Sequence, residues 1–206
     1  MLEAFYKTHN YLVDHVQVPA RRLLMDEINW NDRLIAIKGG RGVGKTDFLL
    51  NYAKELRTTN PELSKRTLYV NFNDFYFTEH SLVEFAGEFV AAGGHTLLID
   101  QAFKYPNWSR ELSQCYYNYK DLHIVFTASS VMRLVEDNKD LCSIVHPYNL
   151  RGFSFREYLN VTLGLKLPAY SLEEILHNHI DIAHRISQRI NHPAYFNDYL
   201  PHGYYP

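Results

Sequence analysis

Five short apolar runs punctuate the chain: RLIAIK at 33 to 38, TLYVNF at 67 to 72, HTLLID at 95 to 100, LHIVFT at 122 to 127 and the weaker HPYNL at 146 to 150. Runs this short and this continuously apolar predict strands of a parallel sheet buried on both faces. Between them, residues 47 to 56, 81 to 91, 108 to 119 and 129 to 135 carry apolar side chains at helical spacing, with Ser or other polar residues at several starts. Strand and helix alternate, which predicts a three-layer α/β fold around a five-stranded parallel sheet. From Ser154 the strand pattern stops. SFREYLNVTLGL, then SLEEILHNHIDIAHRISQRI, then 193 to 200 predict a small helical segment, so the expected division is a core over 1 to 153 and a helical lid over 154 to 206.

The junction of the first strand and first helix reads Gly39-Gly40-Arg41-Gly42-Val43-Gly44-Lys45-Thr46, a full GxxxxGK[ST] pattern. Backbone N–H groups must converge on phosphate oxygens in such a loop, and a Cβ at Gly39, Gly42 or Gly44 would obstruct their approach. The helix opening at Lys45, with Asp47 in its first turn, points its positive end at the same oxygens. Lys45 is expected to reach the β- and γ-phosphates and the Thr46 hydroxyl to ligate Mg²⁺. A dinucleotide fingerprint does not fit, because Gly40, Gly42 and Gly44 have the wrong third spacing and Lys45 follows.

The third run ends on Asp100, where a phosphate-loop protein needs a carboxylate on the far side of the metal from Thr46. In many hydrolysing members of that class the next residue is a glutamate that polarises water. Here it is Gln101, which can orient a water but cannot take its proton. At the end of the fourth run Thr127 and Ser129 offer hydroxyls to a γ-phosphate or to attacking water; capping of the following helix explains Ser129 equally well. Arg133, Arg151 and Arg156 are the arginines placed to act as a finger, yet each stands where a solvated arginine is unremarkable. Asp74, after the second run, either adds to the metal site or starts a turn. The aromatic residues in 104 to 108 are expected to anchor the next helix.

Composition narrows the partners. The formal net charge is −2 from 21 basic and 23 acidic residues, without a block of either sign, which argues against nucleic acid despite 16 tyrosines and 12 phenylalanines. No stretch approaches the ~20 apolar residues of a membrane span, and the amino terminus lacks the apolar run of a signal peptide, so a cytoplasmic protein without membrane contact is expected. Cys115 and Cys142 lack metal-ligand spacing and are expected to be buried free thiols. His177 and His179 fall on different helix faces, and no transition-metal site is expected. The terminal HGYYP needs something to pack on, which points to a chain cut short or to a partner surface.

The segments RRLLMDEINWNDRLIAIKGGRGVGKT, LYVNFNDFYF, LLIDQAFKYPNW, IVFTASS, LRGFSFREYL and YFNDYLPHGYYP span most of positions 21 to 206. They resemble the prokaryotic AAA-type ATPases close to the STAND branch, of the two-part kind found in gut Bacteroidetes. The resemblance implies an ATPase domain, a short helical lid and, in longer members, a further carboxy-terminal domain. Three positions depart from the family's pattern, all on the hydrolytic side. Gln101 replaces glutamate; Leu141-Cys142-Ser143-Ile144-Val145 lacks an expected arginine; Ala128 replaces a glycine. The expectation is an ATP/ADP and Mg²⁺ binding protein that hydrolyses weakly or not at all and works as a switch, with a protein partner or self-association through the lid and aromatic terminus. Three alternatives stay open: an active ATPase using Gln101 to position water, a small phosphate-loop kinase with Arg185 and Arg189 on its lid, and an interaction module with a vestigial loop.

Overall fold

The computed structural model describes residues 1–129, 138–190 and 192–205. In chain order the elements are α1 (Leu2–His15), α2 (Leu24–Glu27), β1 (Leu34–Gly39), α3 (Lys45–Thr59), α4 (Pro61–Lys65), β2 (Thr67–Asn71), α5 (Tyr76–Glu79), α6 (Leu82–Ala91), β3 (Thr96–Asp100), α7 (Trp108–Asn118), β4 (His123–Ser129), β5 (His146–Asn149), α8 (Phe155–Leu163), α9 (Leu172–Ser187) and α10 (His192–His202). The five strands form one parallel sheet in the order β2-β3-β4-β1-β5. The predicted α/β class with a five-stranded parallel sheet therefore holds.

Alternate residues of β1 to β4 feed two cores, as the two-residue period of a pleated strand requires. Leu34, Ala36, Leu68, Val70, Leu97, Ile99, Ile124 and Phe126 meet the apolar faces of α6 and α7 on one side. Ile35, Ile37, Tyr69, Leu98 and Val125 meet α3 on the other. Ser81 caps α6 through a reciprocal box with Glu84, so the first-turn N–H groups are satisfied and the helix start is fixed. β5 departs from the expectation of strands buried on both faces: His146, Pro147 and Asn149 are exposed. It is an edge strand, the one place in a sheet where Pro147 costs no ladder hydrogen bond.

The amino-terminal segment, for which no helix was expected, forms α1. Leu2, Phe5 and Tyr6 pack on the first core, Val13 lies in the second, and between them the buried His9 Nδ1 accepts the backbone N–H of Tyr69 at 3.0 Å. Tyr69 is on β2, an edge of the sheet, so His9 satisfies a main-chain donor that no strand pairs.

Burial, with the positive charge of Arg57 second and Asp14 opposing, lowers the His9 pKa from 6.5 to about 4. The unfolded chain then takes up a proton near pH 6.5 that the native state refuses until about pH 4. Stability falls as pH falls through that window, by about 3 kcal/mol in total from this group. Urea unfolding at pH 7 and pH 4.5 checks it: His9→Asn, which keeps an acceptor but does not titrate, should show a shallower loss than wild type.

Cys115 is buried and burial pushes its thiol up to about 12, but Cys142 is exposed, against the expectation that both are buried. The turn after residues 139 to 141 directs Leu141, Ile144 and Val145 inward and leaves Cys142 and Ser143 on the solvent side. The expected helix over 129 to 135 lies outside the described residues, apart from Ser129, which ends β4.

The chain divides into two compact units, one of residues 1–18 and 22–151, the other of 19–21 and 152–206. In the second, Ser154 and Ser171 cap α8 and α9 by reciprocal boxes with Glu157 and Glu174. Its carboxyl end packs: Phe153 N donates to Tyr204 O at 2.8 Å, and a Cβ on Gly152 would stand 2.2 Å from that oxygen. Tyr199 donates to Phe153 O at 2.6 Å and its ring lies 5.4 Å from Phe155. Leu172, Leu176 and Ile180 on α9 are exposed. No helix among the described residues is long and apolar enough to cross a membrane.

Candidate functional site

The phosphate-loop pattern occupies the β1 to α3 junction, and its glycines have identifiable jobs. Gly42 and Gly44 have φ of 83° and 86°, the left-handed region in which an L side chain is strained. A Cβ on Gly39 would come 2.5 Å from Leu150 O and 2.9 Å from Val43 Cγ2, so the loop closes only around a bare Cα. Gly40 is less constrained, since its Cβ would meet Val43 Cγ1 at 3.6 Å. Arg41 is exposed and Val43 is buried in the core under the loop. Gly44 offers α3 no capping side chain, and the first N–H groups of a helix have no intrahelical acceptor. The start of α3 thus presents a cluster of backbone donors and a positive dipole end.

Lys45 folds back over the loop, its Nζ donating to Gly39 O at 2.9 Å and Gly40 O at 2.6 Å. Partial burial lowers its pKa, and Asp100 opposes that shift. Asp47, one turn into α3, has its pKa raised, first by desolvation and then by the negative charge of Asp100.

Thr46 reaches from α3 to the end of β3, where its Oγ1 donates to Asp100 Oδ2 at 2.7 Å. Asp100 is buried, and three other donors hold it: Tyr69 OH on Oδ2 at 3.0 Å, and Thr127 Oγ1 at 2.6 Å and Gln101 N at 3.0 Å on Oδ1. Thr127 Oγ1 also accepts Gln101 N at 2.8 Å. Gln101 has φ 57° and ψ 41°, the lone non-glycine residue with positive φ among those described, which turns the chain sharply out of the sheet. Ser129 stands in register with Gly39 on the neighbouring strand and, two residues beyond Thr127, on the same face of the sheet.

The geometry thus draws together Gly39 through Thr46, Asp100, Gln101, Thr127 and Ser129 at the carboxyl ends of β1, β3 and β4. A hydroxyl and a carboxylate 2.7 Å apart beside a cluster of N–H donors fit a hard divalent cation and a polyphosphate: Mg²⁺ takes oxygen ligands and is held by one or two protein groups plus phosphates. Of the candidate arginines, Arg151 is exposed. Arg156 donates to Leu167 O at 3.3 Å within the second unit, and Arg133 lies outside the described residues. Asp74 accepts Tyr76 N at 2.9 Å and starts a turn. Tyr105 donates to Glu111 at 2.7 Å and the Trp108 ring lies 6.0 Å from Phe126, which fastens α7 to the core.

Two residues of the site escaped the sequence reading. Arg22, buried in the segment before β1, donates to Val43 O at 3.1 Å and to Arg151 O, tying the loop to the end of β5. Tyr69 is the other. Neither belongs to a local motif; both depend on which distant segments the fold brings together.

A family description, AAA domain, matches residues 31–159, more than half of the chain and inclusive of the loop, Asp100 and Thr127. The chain belongs to the AAA-domain family. An uncharacterized protein of Methanocaldococcus jannaschii is 27% identical over 169 residues, 76% of this chain and 34% of that protein. The chain thus spans about a third of the length of this curated relative. Among solved structures it is similar to domain III of the replication initiation protein DnaA from Thermotoga maritima, with TM-score 0.45 and 18% identity over 79% of this chain and 70% of that one. It is also similar to AMPPCP-bound DnaA from Aquifex aeolicus, with TM-score 0.43 and 15% identity over 90% and 60%.

Proposed function

We propose that this AAA-family protein binds ATP or ADP with Mg²⁺ between Gly39–Thr46 and Asp100, and that it is a weakly hydrolysing or inactive nucleotide switch of the kind its resemblance to the STAND branch implies. One observation carries the reading: Thr46, at the start of the helix that follows the loop, meets the buried Asp100 carboxylate at 2.7 Å, with Lys45 lying over the same loop. In this reading the loop N–H groups and Lys45 Nζ hold the phosphates, Thr46 and Asp100 hold the cation, and Thr127 and Ser129 face the terminal phosphate. The cation supplies charge neutralisation on the phosphate oxygens. Gln101 orients water without accepting its proton, which leaves binding intact and hydrolysis slow. Presence or absence of the γ-phosphate then sets the order of the surrounding segments, and the signal is conformational.

Calorimetric titration of ATP and ADP with Mg²⁺ on wild type and Lys45→Ala, followed by phosphate release from the same samples, tests this. Wild type should bind, and the mutant should lose about 10- to 100-fold in affinity, the worth of a hydrogen-bonded charge on phosphate. Release should stay well below about 1 s⁻¹, an ordinary enzyme turnover. Steady release above that rate makes the protein an active ATPase, and absence of any nucleotide binding removes the reading altogether.

A further inference from the structure

The four donors on Asp100 are unequal in origin. Thr46 belongs to the phosphate loop, Gln101 is the next residue, and Thr127 sits on the adjacent β4. The fourth, Tyr69, comes from β2 on the other flank, and its hydroxyl binds Oδ2, the same oxygen that Thr46 contacts. The strand register explains the reach. Tyr69 pairs with Leu98, so its side chain leaves the sheet on the same face as Leu98 and Asp100, and an aromatic side chain spans such a diagonal.

We propose that Tyr69 is a positioning residue of the magnesium site: its hydroxyl holds Asp100 Oδ2 toward Thr46 and so toward the cation that the pair would bind. The inference rests on Asp100 being the carboxylate of that site. With Thr127 and Gln101 N on Oδ1 and Tyr69 on Oδ2, the carboxylate plane is fixed from both sides independently of Thr46. The Thr46 hydroxyl is then free to direct its lone pair at a metal without releasing Asp100. Tyr69 is itself held at both ends, its backbone N–H by His9 and its ring by burial in the α3 core. Outer partners that orient a metal-binding carboxylate typically govern metal affinity by roughly 10- to 100-fold.

Tyr69→Phe keeps the ring and removes the donor. ADP is titrated calorimetrically at stepped free Mg²⁺ concentrations, with an EDTA sample as the metal-free limit, on wild type, Tyr69→Phe and Asp100→Asn. The expected result is a half-saturating Mg²⁺ concentration roughly 10- to 100-fold higher in Tyr69→Phe, with ADP affinity in EDTA unchanged. Tyr69→Leu, which also removes the ring, should show the same magnesium shift with a larger loss of thermal stability, which separates the hydroxyl's part from the ring's. A magnesium curve that superimposes on wild type in the Tyr69 variants, while Asp100→Asn shifts it, overturns the role of Tyr69 alone. If Asp100→Asn also leaves the curve in place, the assignment of Asp100 fails and this inference falls with it.

Discussion

Gln101→Glu is expected to raise phosphate release at saturating ATP and Mg²⁺ by about 10² to 10⁴-fold over wild type, the usual contribution of a general base. The substitution changes one terminal group and nothing in side-chain length. Gln101 also sits on an anchored backbone: its N–H is shared between Asp100 Oδ1 and Thr127 Oγ1, and its left-handed conformation is set by the turn out of β3. A carboxylate introduced there occupies the same place, so the change reads the chemistry of the group and not its position. Single-turnover phosphate release, with nucleotide affinity measured alongside, is the check. A rate that stays at the wild-type level means that a base at 101 is not what the site lacks.

The second large effect concerns stability. Phe85 is fully buried on α6, with its ring 5.0 Å from Phe5, 5.8 Å from Tyr76 and 5.4 Å from Phe77. These rings come from α1 and α5 as well as α6, so one side chain fastens three elements over the first core. Phe85→Ala is expected to cost about 3 to 5 kcal/mol, transfer and cavity together, with the edge-to-face pairs adding to the loss. Denaturant unfolding monitored by far-ultraviolet circular dichroism measures it. A cost under about 1.5 kcal/mol would mean that the neighbouring rings collapse into the space and that the cluster is not what binds α1.

What could be read in the chain before folding was whatever is local. The phosphate loop is contiguous, and its glycines answer demands of the loop itself; the apolar runs ending at Lys38, Asp100 and Thr127 announce strands because burial on both faces leaves little room for polar residues. Asp100 was legible as a strand-end carboxylate. Its four hydrogen bonds were not, because the Tyr69 contact depends on β2 and β3 pairing in one register across 31 residues of sequence. Arg22 reaches a loop 21 residues away for a similar reason. α1 is less legible: Leu2, Phe5, His9 and Leu12 fall at helical spacing, but the polar His9 interrupts the apolar stripe. The interruption is functional: His9 is polar because it must accept a main-chain hydrogen.

That hydrogen bond bears on the exposure of a sheet edge. A bare outer strand is a template onto which any extended chain can add, and the usual outcome for concentrated protein is growth of edge-to-edge aggregates. α1 lies across β2 and lets His9 occupy one of its outward donors, so the helix acts as a guard on the sheet. The family match begins at residue 31. A fragment cut to that boundary would keep Gly39 to Thr46, Asp100 and Thr127 but shed both Arg22, which ties the loop to Arg151, and the guard, leaving a strand edge open to every neighbouring molecule.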